Sequence, residues 1–173
     1  RLVAHTIGEA EPVGLCGSGL IDAIAALLSL GWIDETGAME EETVSIAGPV
    51  SLTGRDVRSV QLAKGAVAAG VGTLLRYAKV APSQVDTLYI AGGFGSHLNI
   101  QSAAAIGLVL PELTNRVQVL GNAALAGAER LLLDRRCVQQ AKKIAQSAQS
   151  VLLGGNPVFS ELYMECMTFG SEE

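Results

Sequence analysis

Leu88-Tyr-Ile-Ala-Gly-Gly-Phe-Gly-Ser-His-Leu-Asn99 is the stretch on which the fold reading turns. An apolar run rich in strand formers feeds a Gly-Gly-x-Gly turn, and polar residues able to cap a short helix follow. Glycine there lets the backbone take positive φ and lets a flat ligand approach with no Cβ in its way. Main-chain N–H groups at such a strand-to-helix turn suit a phosphate, a ribose or a base. A tight turn whose glycines only permit close packing gives the same pattern, so the flanking elements must separate the two.

Working outward, the turn follows a strand at 87–91 and precedes a short helix near 101–107. A strand over 117–120, a helix over 123–134 capped by Asn122 and a second helix over 137–149 come next. A strand near 150–153 and a last helix over 158–168 finish the chain. Upstream, the pattern predicts a strand at 1–7 and a loop, Gly14-Leu-Cys-Gly-Ser-Gly19, opening a helix over 18–30. Short extended pieces at 44–46 and 49–54 lead to a long helix capped by Asp56, running to Lys79, with Pro82 beyond it. Strands alternating with helices imply an α/β layer architecture over residues 1–173, read as one domain, with parallel pairing in part of the sheet.

The bulk numbers agree. Apolar residues make up 49% and charged residues 17% of 173, with twenty glycines, which describes a compact domain rich in small residues. A net charge of −5 and no basic stripe argue against a nucleic-acid partner. No run reaches the roughly eighteen apolar residues that span a bilayer. The chain starts at Arg1 with neither Met nor a charged-then-apolar leader, so a fragment or processed product without a signal peptide is expected. Cys16, Cys137 and Cys166 are too widely spaced for a disulfide framework or a zinc or iron–sulfur site, and reduced thiols in a cytoplasm are expected.

On the long helix, Val57, Val60, Val67, Ala68, Val71, Leu74, Leu75 and Ala78 fall on one apolar stripe. Lys64 sits near its middle and Gln61 at its edge. A lysine on a buried stripe is costly unless its ammonium reaches water, a carboxylate at the core's edge, or a ligand's phosphate or hydroxyl at a cleft mouth. Ala63, Gly65, Ala66, Ala69, Gly70 and Gly72 allow another element to come close. In the upstream loop, Gly17, Ser18 and Gly19 lie where free N–H groups and the positive dipole end would face an anion, with Ser18 a competent N-cap. This is not a Walker loop, because Gly-x-x-x-x-Gly-Lys-Ser/Thr is absent. Cys16 has neither histidine nearby in sequence and does not read as a nucleophile. Further on, Leu120-Gly-Asn-Ala-Ala-Leu-Ala-Gly-Ala128 joins a strand end to a helix start of small residues, suited to packing beside the turn at 92–95.

The order of these elements resembles the second nucleotide-binding lobe of the acetate/sugar kinase–heat-shock chaperone–actin superfamily. Pro12-Val-Gly-Leu-Cys-Gly-Ser-Gly-Leu-Ile-Asp22, Asp56-Val-Arg-Ser-Val-Gln-Leu-Ala-Lys-Gly-Ala66 and Ile90-Ala-Gly-Gly-Phe-Gly-Ser-His-Leu-Asn99 are more closely similar to the C-terminal region of reductive activators of corrinoid proteins. The likeness covers nearly the whole chain. It implies a ribonuclease-H-like, actin-like ATPase lobe with a mixed sheet flanked by helices. It also implies ATP or ADP with Mg²⁺ as ligand, a corrinoid protein as partner, and a 2Fe-2S ferredoxin domain elsewhere in a longer protein. By position, Gly92, Gly93, Phe94 and Gly95 would form the adenosine wall. Gln61 and Lys64 would approach the purine or ribose, and Gly17, Ser18 and Gly19 would lie near the phosphates.

The family's ferredoxin cysteines, its first lobe and the Asp-Ile-Gly-Thr-type hairpin are missing from these residues. A lobe incomplete at that hairpin is expected to bind nucleotide weakly at most, to lack turnover alone, and to leave a sheet edge open to a second copy. Two other readings fit the pattern: the lobe of a small-molecule kinase, which needs a catalytic Asp beside a glycine turn, and a non-catalytic interaction lobe.

Overall fold

The computed structural model describes residues 3–170. Helix α1 (Gly17–Ser29) is followed by a hairpin of β1 (Thr43–Ala47) and β2 (Val50–Thr53), then by the long helix α2 (Gly54–Ala78). β3 (Leu88–Ala91), α3 (Ile100–Ala105) and β4 (Val117–Gly121) form the middle of the chain. The helices α4 (Ala123–Leu133), α5 (Arg135–Ser147) and α6 (Pro157–Glu165) complete it.

β1 and β2 pair antiparallel, while β3 and β4 pair parallel with Leu88 opposite Val117 and Ile90 opposite Val119. Both kinds of pairing are present, but among the described residues they form two separate two-stranded pairs and not one continuous mixed sheet. Two expected strands do not form. Within 1–7, the first two residues lie outside the described range, and Val3 and Ile7 are exposed with no strand beside them. Residues 150–153 are irregular because Asn156 gathers them into a turn: its N–H donates to the Leu153 carbonyl (3.1 Å) and its Nδ2 to the Leu152 carbonyl (3.3 Å).

Asparagine caps start three of the six described α-helices. Asn99, Asn122 and Asn156 each accept main-chain N–H groups through Oδ1 at the N-termini of α3, α4 and α6. Two expected caps shift. Thr53, not Asp56, caps α2, and Asp56 completes a reciprocal capping box from the third helical position. Cys16, not Ser18, caps α1, its Sγ accepting the Gly19 N–H at 3.4 Å.

The core joins α1 to the hairpin, the start of α2 and α3, with Ile24, Leu27, Ile33, Leu52, Val57 and Ile106 all buried. The buried face of α2 is rotated from the expected stripe by roughly a fifth of a turn. Val67 and Leu74 are exposed, while Gly65, Ala69 and Thr73 are buried. The cause is α6, which lies against the small residues of α2. A Cβ on Gly65 would stand 3.0 Å from the Cys166 carbonyl oxygen, and one on Gly72 would stand 3.1 Å from a Leu162 methyl. Close approach along these glycines secures more contact than the larger residues offer on the other side.

Candidate functional site

The three glycines of the 92–95 turn have different physical reasons. Gly92 has φ +100°, a region that disfavours any side chain, and its N–H donates to the Gly121 carbonyl at 2.7 Å, continuing the β3–β4 pairing. Gly95 is buried against Ile90, where an added Cβ would lie 2.3 Å from Cγ2. Gly93 is exposed, and an added Cβ would meet nothing within 4 Å. The turn is closed on its far side by Ser96 Oγ donating to the Gly92 carbonyl (3.1 Å) and by His97 Nδ1 at 3.2 Å from the Gly93 carbonyl.

Phe94 projects from this turn onto the N-terminus of α1. An added Cβ on Gly17 would sit 2.9 Å from the edge of its ring, so a side chain there would push the half-exposed ring aside. Gly17, Ser18 and Gly19 are the first three residues of α1; Gly17 meets the Phe94 ring, and the Gly19 N–H is taken by Cys16 Sγ. Ser18 Oγ lies 3.4 Å from Cys16 Sγ. The Ser18 hydroxyl, followed by the Gly19 N–H, holds the Cys16 thiol below its ordinary value. β4 touches the turn through Gly121, whereas α4 packs chiefly on α5 and has no buried residue.

Gln61 and Lys64 form a second group. Both are 2% exposed. Gln61 Nε2 donates to the carbonyls of Thr36 (2.9 Å) and Met167 (3.1 Å), and its Oε1 accepts from Arg58 (3.3 Å). Gly37, at φ +82°, must be glycine here because a Cβ would come within 2.6 Å of the Gln61 amide. Lys64 Nζ donates to the Thr168 carbonyl and lies 5.5 Å from the centre of the Phe169 ring. Burial pushes the Lys64 ammonium below its ordinary value and the Cys166 thiol above its own, and each group partly offsets the other's shift. Lys64 therefore meets a main-chain carbonyl and an aromatic face in place of a core-edge carboxylate.

No hydrogen bond among the described residues joins the two groups. α3 packs on α1, and Gly107, just past its end, leaves 3.1 Å between a would-be Cβ and Lys64 Nζ. A cavity of about 240 Å³ lies beside Lys64, bounded by Gly107, Leu110, Glu165 and Thr168 among others.

Two features carry no sequence signal of their own. One is the segment after α6 that receives Gln61 and Lys64, whose partners are main-chain atoms and so independent of side-chain identity. The other is Asp22, whose buried Oδ1 has no hydrogen-bond partner among the described residues and which lines a cavity of about 310 Å³ with His5. Among the described residues no group of three or more His, Cys, Asp or Glu side chains is placed to hold a metal. The cysteines do not fit an iron–sulfur cluster, and no step through one is assigned to them. No described helix is long and apolar enough to cross a membrane.

Against known proteins, a family model described as the C-terminal domain of RACo, the ASKHA domain, matches residues 1–173. The corrinoid activation enzyme RamQ of Eubacterium limosum is 30% identical over 199 residues, covering 98% of this chain and 33% of that protein. The [Co(II) methylated amine-specific corrinoid protein] reductase of Methanosarcina barkeri is 24% identical over 156 residues, covering 89% of this chain and 29% of the relative. A solved structure titled reductive activator for corrinoid,iron-sulfur protein superposes with a TM-score of 0.83 at 31% identity, covering 95% of this chain and 30% of that one. The chain thus spans about a third of the length of the relatives it matches.

Proposed function

Since the chain belongs to the family of RACo C-terminal ASKHA domains, we propose that it is the nucleotide-binding lobe of a longer reductive activator. In this reading ATP, with Mg²⁺, drives electron transfer from a 2Fe-2S cluster carried elsewhere in that protein to a Co(II) corrinoid protein. The product is the Co(I) form that corrinoid-dependent methyltransferases require.

The observation that carries the proposal is the meeting of two glycine motifs. The Phe94 ring seats the exposed 92–95 turn on the first residue of α1, with Gly93 open beside it. The first turn of α1 and the glycine turn then border one exposed corner, and main-chain N–H groups at such places suit the phosphates and ribose of an adenylate. The lobe's part is binding. Nucleotide held between this lobe and another would favour a closed arrangement, and closure would change contact with the corrinoid protein. The test is the visible spectrum of the corrinoid protein mixed with the full-length activator and a reductant. Co(I) should accumulate with ATP and stay at background without it; equal accumulation in both would refute the proposal.

A further inference from the structure

The segment following α6 is fastened by the same two side chains that the family resemblance directs toward nucleotide. Gln61 donates to the Met167 carbonyl at 3.1 Å and Lys64 to the Thr168 carbonyl. The Phe169 N–H donates to the Glu35 carbonyl at 2.7 Å, and its ring, 3% exposed, is buried near the Lys64 ammonium. The fastening is closely fitted: Gly65 admits the Cys166 carbonyl and Gly37 admits the Gln61 amide. With the segment in place, the space beside Lys64 is about 240 Å³. Sites for drug-sized ligands run from about 300 to 1,000 Å³, so the space is small for a whole nucleotide while the segment is closed.

We propose that residues 167–169 are a latch over the slot formed by Gln61 and Lys64, and that nucleotide and latch compete for those two side chains. The inference rests on the nucleotide-binding reading above and adds an autoinhibitory contact to it. Gln61 Nε2 has two hydrogens, and both are committed to carbonyls when the latch is closed. Donation from the Gln61 amide to an acceptor on a purine or ribose therefore requires release of at least one of them. The apparent affinity for nucleotide is then the intrinsic affinity reduced by the fraction of molecules with the latch open. Residues 167–169 follow directly on α6, which packs along α2, so their release would also loosen the end of that helix pair.

Hydrogen–deuterium exchange of the full-length protein, with and without saturating MgATP, tests the latch, and calorimetry on the same samples reports whether ATP binds. The Phe169 amide should exchange on the order of 10-fold faster with ATP bound, because its bond to the Glu35 carbonyl is given up. In Phe169→Ala the loosened latch should tighten ATP binding by roughly 5-fold or more. Should that variant fail to fold, the wild-type exchange measurement decides alone. ATP binding with unchanged or slower exchange at Phe169 would overturn the latch and leave the nucleotide-binding reading standing. Absence of ATP binding would overturn both.

Discussion

Replacing Gly95 by alanine tests whether the 92–95 turn is shaped by packing against its own strand. The new Cβ would lie 2.3 Å from Ile90 Cγ2, where ordinary contact begins at 3.4 Å, an overlap of 1.1 Å. Ile90 is β-branched and half-buried in β3, which is paired to β4, so it has little room to yield. Overpacking of this kind costs about 1–3 kcal/mol. Gly95 has no positive φ, so alanine also restricts the unfolded chain and returns about 0.4–1 kcal/mol. The net expectation is a loss of about 1–2 kcal/mol, or a fall of roughly 2–8 °C in melting midpoint for a domain of this size. Circular dichroism during urea and thermal unfolding measures it. Ile90→Ala removes Cγ2 and leaves the Ile90 Cβ at 3.6 Å, an ordinary contact, so Gly95→Ala should cost almost nothing in that background. A double-mutant cycle should give a coupling of about 1 kcal/mol or more. Additive penalties, or a Gly95→Ala protein as stable as the wild type, would refute the packing account.

Two further outcomes concern α2. Thr53→Ala, which removes the capping hydroxyl, should destabilise the protein by about 1 kcal/mol, measured by urea unfolding at neutral pH. Asp56 is held below 3.8 by the Thr53 hydroxyl and then the Thr53 N–H, so its share of the cap is present above that value and lost as pH falls through its folded pKa. The difference between wild type and Thr53→Ala should therefore shrink in acid; a difference constant down to low pH would contradict the box. Lys64 has its folded value lowered from 10.5 by burial, so its charged form opposes folding at neutral pH and the penalty fades as pH climbs from the folded value to 10.5. Relative to Lys64→Met, the wild type should gain stability over that alkaline window in chemical denaturation. A pH-independent difference would show that burial does not tax the ammonium.

The legible parts of the sequence were those where one residue type has one local job. Asn122 as a cap, the strand before Gly92 and the breaks at glycine all follow from backbone chemistry acting within a few residues. The face of α2 was legible only in part. Its small residues were expected to admit another element, and α6, about a hundred residues later, lies on them, but the helical wheel set the buried stripe on the larger residues beside them. The partners of Lys64 were out of reach for a related reason, since the Thr168 carbonyl that receives its ammonium belongs to the main chain and any residue could supply it. The expected strand at 150–153 failed because Asn156 binds that stretch into a turn, an interaction that alternation of residue types does not register. The meeting of Phe94 with Gly17 depends on a tertiary contact, although both glycine motifs were visible separately.

Titration of the full-length protein with MgATP by calorimetry, wild type against Gly93→Val, probes the nucleotide corner most directly. Nothing stands within 4 Å of a Cβ at Gly93 and its φ is not positive, so unfolding stability should change by no more than about 0.5 kcal/mol. A side chain that intrudes only on a bound ligand should nonetheless weaken ATP binding by about 10-fold, or about 1.4 kcal/mol. Equal affinity in two equally stable proteins would mean that no nucleotide rests against the turn, and the assignment of this corner would be wrong.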